Sequence, residues 1–178
     1  MFVFMVYLQF CAIELLLIDA PGVRITWLFI CLQVPVAISN LTVRLFLDKN
    51  LLICVPANSF LDLRLLAELD LSHNQISLLE AGCFSGLDSL HFLDLSSNCL
   101  TTLDPLALGG LRVHANLTCN AWHCDCKLQV SMLQLDLDLA SLAKVVCLSS
   151  DLPNLGMLRL LDHLTVSWGI QIVPNHKP

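Results

Sequence analysis

Basic residues are few and never clustered: nine lysines and arginines lie singly from Arg24 to Lys177 in a chain of net charge −6. No stripe of positive charge is available to neutralise phosphates, so a nucleic-acid partner is excluded. Aromatic residues are also scarce, with one tyrosine, Tyr7, and three tryptophans, and only 13% of residues are charged. Leucine is the most frequent residue. An apolar content of 56% in 178 residues exceeds what an ordinary globular core requires and excludes a disordered chain.

Catalytic groupings are lacking as well. His123 beside Cys124 offers a thiol next to an imidazole, but no orienting acid and no oxyanion site accompany them, so the residues point away from an enzyme, a small-molecule substrate or a cofactor. His114, His123, Cys124, Cys126 and Cys147 could in principle hold zinc, although the C-x-C spacing is shorter than a zinc finger uses. The nine cysteines are odd in number, so at least one thiol stays free or pairs with another molecule.

Met1 to Ile13 is apolar apart from Gln9, which suits the core of a signal peptide and also makes this end a candidate for membrane association. No basic residue precedes the run, Glu14 and Asp19 follow closely, and no small-x-small cleavage site stands at a suitable distance.

Self-similarity is the dominant feature. Leu45-x-Leu47-x-x-Asn50-x-Leu52 recurs as Leu66-x-x-Leu69-x-Leu71-x-x-Asn74-x-Ile76 and as Leu90-x-x-Leu93-x-Leu95-x-x-Asn98-x-Leu100, with the asparagines 24 residues apart. Each is trailed by a second apolar set: Val55, Phe60 and Leu63, then Leu79, Phe84 and Leu87, then Leu103, Leu108 and Leu111. The Leu-x-Leu pair alternates as a strand does, so its leucines point inward and the residues between them outward. The asparagine follows where the chain turns and can bond backbone groups of its own and the neighbouring coil, while the later Leu and Phe close the coil from the other side. No coil buries its apolar face alone, so stacking makes one core. Three amphipathic helices would not explain a 24-residue recurrence of asparagine. The pattern predicts an α/β leucine-rich-repeat solenoid, a short horseshoe whose concave side is a parallel sheet.

A solenoid needs caps at both ends. Asn120-Ala121-Trp122-His123-Cys124-Asp125-Cys126, followed by Cys147, resembles the cysteine-rich C-terminal cap of extracellular leucine-rich-repeat proteins, with Ala121 in place of the usual proline. The resemblance implies a Cys124 to Cys147 disulfide, worth about 3 kcal/mol for a loop of that size. It also leaves Cys126 as a cap cysteine without a partner, since no cysteine follows Cys147. Asp125 reads as a turn or helix-start residue ahead of Lys127 to Leu135. Val34-Pro35-Val36-Ala37-Ile38 leads into the first repeat as the second half of an N-terminal cap does in these families, though of four cap cysteines only Cys11 falls in place. A membrane helix over residues 25–43 is the rival, and Gln33, Pro35, Ser39 and Asn40 oppose it. With three repeats and Trp-His-Cys-Asp-Cys, the chain is most similar to the leucine-rich repeat-containing protein 3 group of small single-pass membrane proteins. Leu155 to Pro174, where that group carries its span, is interrupted by Arg159, Asp162, His163 and Gly169.

The expected organisation is therefore a signal-like segment at 1–24, a degenerate N-terminal cap at 25–43, three repeats at 44–111, a C-terminal cap at 112–170 and a tail at 171–178. Strand register places Arg44, Glu68 and Phe92 in one outward column, Phe46, Asp70 and Asp94 in the next, and Asp48, Ser72 and Ser96 in a third. Exposed phenylalanines beside aspartates suit a protein partner with basic residues, and the alternative is that the aspartates only solvate a strand face. Asn40-Leu41-Thr42 and Asn116-Leu117-Thr118 are glycosylation sequons that support an extracellular or cell-surface location. Cys54, Cys83, Cys99 and Cys119 read as small buried residues within the repeats, with Cys99 the one most suited to exposure and to linking two chains. Two functions follow: a non-enzymatic protein-binding module, or a truncated or decayed relative whose incomplete caps prevent stable binding.

Overall fold

The computed structural model describes residues 23–26, 33–35, 38–108, 111, 113–125, 128 and 144–150. Five strands form the concave sheet: β1 Val23–Thr26, β2 Thr42–Phe46, β4 Glu68–Asp70, β6 Phe92–Asp94 and β7 His114–Asn116, all parallel and in that spatial order. The opposite side carries β3 (Cys54–Val55), paired in parallel with β5 (Leu78–Leu79), and the short helix α1 (Pro105–Leu108). A separate parallel pair, β8 (Trp122–Cys124) with β9 (Cys147–Ser150), forms the C-terminal cap.

The chain coils because each Leu-x-Leu strand is followed by a turn that reverses it over the core. Leu45 and Leu47, Leu69 and Leu71, and Leu93 and Leu95 are all fully buried, as the alternation requires. Leu52, Ile76 and Leu100 enter from the turn, and Phe60, Phe84 and Leu108 close the coils from the convex side. The Phe60 and Phe84 rings stack with centroids 6.1 Å apart. Gly86 has φ +82°, and a Cβ there would lie 2.7 Å from the Leu61 carbonyl oxygen, so the approach of two coils at that point needs glycine.

The asparagines form the expected ladder. Asn74 Oδ1 accepts the Leu52 N–H at 3.0 Å, and its Nδ2 donates to the carbonyls of Leu47, Leu71 and Ser72. Asn98 repeats this on Ile76, Leu71, Leu95 and Ser96. Each amide thus ties its own coil to the one before it. The residue ahead of each, Lys49, His73 or Ser97, takes a left-handed conformation with φ of 54 to 55°.

A fourth coil continues the three read from the leucines. Asn120 joins the ladder, accepting the Leu100 N–H and donating to Leu95, Leu117 and Thr118, with Cys119 ahead of it at φ 57°. It falls 22 residues after Asn98, and Ala115 takes the place of the strand leucine beside Leu93. The fourth coil therefore lies in the stretch expected to be cap. At the other end β1 crosses the 24/25 boundary expected between leader and cap, and it pairs with β2. Residues 1–22 and 151–178 lie outside the described residues, and with them the expected leader and tail. Among the described residues no helix is long and apolar enough to cross a membrane.

Candidate interaction face

The strand register sets the outward residues in rows. Arg44, Glu68, Phe92 and His114 are aligned across β2, β4, β6 and β7, and so are Phe46, Asp70, Asp94 and Asn116. In the first row Arg44 Nε pairs with Glu68 Oε2 at 3.3 Å, and the Phe92 ring stacks on His114 with centroids 6.0 Å apart. In the second row Asp70 Oδ1 accepts the Ser72 N–H at 2.9 Å and Asp94 Oδ1 that of Ser96 at 2.8 Å. These are turns closed by an aspartate on the backbone two residues later, a task that strand alternation does not reveal. The same contacts draw Ser72 and Ser96 inward to 6% and 8% exposure, so the third column keeps only the half-buried Asp48 at the surface. Phe46 and Phe92 are half-buried rather than open.

Burial pushes the Asp70 carboxyl above the usual carboxylate range, the Ser72 contacts pull the other way, and the charges of Asp94 and Asp48 add to the rise. Asp48 faces Lys49 at 3.7 Å. Among the described residues neither Asp70 nor Asp94 lies within ion-pair distance of a cation. The centre of the face thus holds two neighbouring carboxylates, one of them partly removed from water. His114 and Asn116 complete the rows; the sequence offered them as a possible zinc ligand and a sequon but not as residues of this face, and recognising Asn120 as a ladder residue would have placed both.

At the cap Cys124 and Cys147 are disulfide-bonded with Cα atoms 5.6 Å apart. That bridge consumes two of the thiols a zinc site would need. Trp122 is fully buried and donates its Nε1–H to the Leu117 carbonyl at 2.9 Å, which fastens the cap to the fourth coil. Asp125 Oδ1 accepts the Leu128 N–H at 2.8 Å, the helix-start contact its position suggested. Cys126 lies outside the described residues. Cys83 is buried as expected and Cys54 half-buried, whereas Cys119 is exposed along with Cys99. Of the sequon residues, Asn40 is exposed in the turn before β2 and Asn116 is half-buried on the concave face.

A family model described as leucine rich repeat matches residues 39–100 and 66–114. Human leucine-rich repeat-containing protein 3C is 44% identical over 123 residues, which are 68% of this chain and 45% of that protein. Human leucine-rich repeat-containing protein 3 is 40% identical over 119 residues, 66% of this chain and 46% of the relative, and the Danio rerio protein of that name is 38% identical over 120 residues, 67% and 45%. The chain therefore spans less than half the length of the curated relatives it matches.

Proposed function

The chain belongs to the leucine-rich-repeat family, whose members are generally protein-interaction modules, and from that membership we propose that it binds a protein partner through the concave face of its coils, without catalysis, in the extracellular space or at the cell surface. The observation that carries the reading is the pair Asp70 and Asp94, adjacent across β4 and β6 with no cation beside them among the described residues. A partner's arginine or lysine set between them relieves a repulsion that the free protein bears, and Phe46 and Phe92 flank it with apolar area. The face is small, which suits weak or multivalent contact. The Cys124 to Cys147 bridge supports an oxidising compartment, and the two sequons agree with it. Membrane association through the apolar N-terminus belongs to the same proposal.

The test is binding of the labelled, disulfide-bonded full chain to a panel of purified cell-surface ectodomains at low and high salt. The wild type is compared with Asp70→Asn/Asp94→Asn and with a control at an exposed leucine in the turn before β4, Leu65→Ser. Binding that weakens with salt and is lost in the double variant alone supports the concave face. Binding that the double variant retains in full overturns it.

A further inference from the structure

Asn116 is a sequon asparagine on the face proposed for partner contact. It ends β7 beside Asp94, and strand alternation sends His114 to the same side two residues earlier. Its Nδ2 donates one hydrogen to Asp94 Oδ2 at 3.0 Å, and its Oδ1 accepts from the Thr118 hydroxyl at 3.0 Å. Glycosylation replaces one of the two Nδ2 hydrogens and leaves the other. Transfer forms the bond from Nδ2 to the anomeric carbon, breaks the bond from that carbon to the phosphate of a lipid-linked donor, and releases one Nδ2 proton. The Asp94 contact needs a single N–H, which a modified asparagine still has, and the Thr118 contact uses Oδ1, which modification leaves in place.

We propose that Asn116 carries an N-linked glycan that stands on the concave face over Asp94 and His114, closing the C-terminal end of that face to a partner. Strands about 4.8 Å apart put the first sugar within one strand spacing of Asp94. Arg44, Phe46, Glu68 and Asp70 on β2 and β4 are then the open part of the face, and a basic partner reaches Asp94 only from the Asp70 side. Asn40 differs: it is exposed in a turn ahead of β2, away from these rows.

The inference rests on entry into the secretory pathway, and Asn40 separates the two. The full chain is expressed in a secreting mammalian cell and glycopeptides are read by mass spectrometry. Diethyl pyrocarbonate then measures the reactivity of His114 against His73, an exposed histidine in the turn after β4. Sugar is expected at both asparagines, with His114 reacting several-fold more slowly in the wild type than in Thr118→Ala, His73 unchanged, and Thr118→Ser restoring sugar and protection together. Sugar at Asn40 without sugar at Asn116 overturns the inference and leaves secretory entry intact. Sugar at neither site overturns both, and sugar at Asn116 with His114 equally reactive in all three proteins overturns the closing of the face.

Discussion

Replacing Asn98 by alanine tests the central structural claim, that side-chain amides hold the coils together. Asn98 is 8% exposed; its Oδ1 takes the Ile76 N–H at 3.0 Å and its Nδ2 reaches the Leu71, Leu95 and Ser96 carbonyls at 3.0, 3.1 and 3.2 Å. The Leu95 carbonyl keeps the Asn120 amide, and the Ser96 carbonyl keeps the His73 N–H. The Leu71 carbonyl keeps the Asn74 amide, so the Ile76 N–H alone is left without its partner inside the coil; a buried polar group left unsatisfied costs about 1–3 kcal/mol, and Asn98→Ala should lose that much. The measurement is urea unfolding of the oxidised protein followed by tryptophan fluorescence, with the exposed Thr102→Ala as control. Asn98→Asp keeps the Oδ1 acceptor but has no donor when ionised, so it should be worse than alanine at neutral pH and recover as acid restores an O–H. A loss below about 1 kcal/mol for Asn98→Ala at unchanged m would mean that water substitutes for the amide, and the ladder would not be what joins the coils.

Three further measurements probe the same coils. Gly86→Ala must place a Cβ against the Leu61 carbonyl at positive φ and should cost about 1–3 kcal/mol in the same unfolding assay, where a Gly86→Ala protein as stable as wild type would show that the coils can part there. The Cys83 thiol, pushed up to about 12 by burial, should resist iodoacetamide at pH 8 in the folded protein while exposed Cys99 and Cys119 are alkylated, as read peptide by peptide. Asp70 has a folded-state pKa above its ordinary value of 3.8, so the stability linked to its proton is present below that value and is lost as pH rises through the folded one. Asp70→Asn, which keeps an acceptor for Ser72, should therefore match wild type in acid and exceed it at pH 7 in paired denaturation curves. Equal stability at both pH values would count against a desolvated carboxylate.

The repeats were legible because two periods coincide in them: alternation within Leu69-x-Leu71 fixes which side chains face in, and the 24-residue interval fixes which coils are neighbours. The outward rows from Arg44 to Phe92 and from Phe46 to Asp94 follow from the same two facts. The fourth coil escaped because Ala115 stands where a leucine is expected and the interval to Asn120 shortens to 22 residues, so neither period continues cleanly. The aspartate turns escaped for a different reason. A strand pattern tells that Asp70 and Asp94 face out, but whether such a side chain reaches solvent or folds back onto Ser72 and Ser96 depends on the backbone after the strand. The Cys124 to Cys147 pairing came through family resemblance, since spacing alone leaves the partners of nine cysteines open.

The amide ladder runs one way. Asn74 serves groups of the first coil, Asn98 of the second and Asn120 of the third, so each of these three owes part of its backbone satisfaction to a residue made later. During vectorial synthesis each of these three coils lacks part of its backbone hydrogen bonding until the next has left the ribosome. A chain stopped between Leu100 and Asn120 would hold two settled coils and a third waiting for an amide that never arrives. The short fourth coil and the tryptophan-pinned cap behind it are what end that waiting.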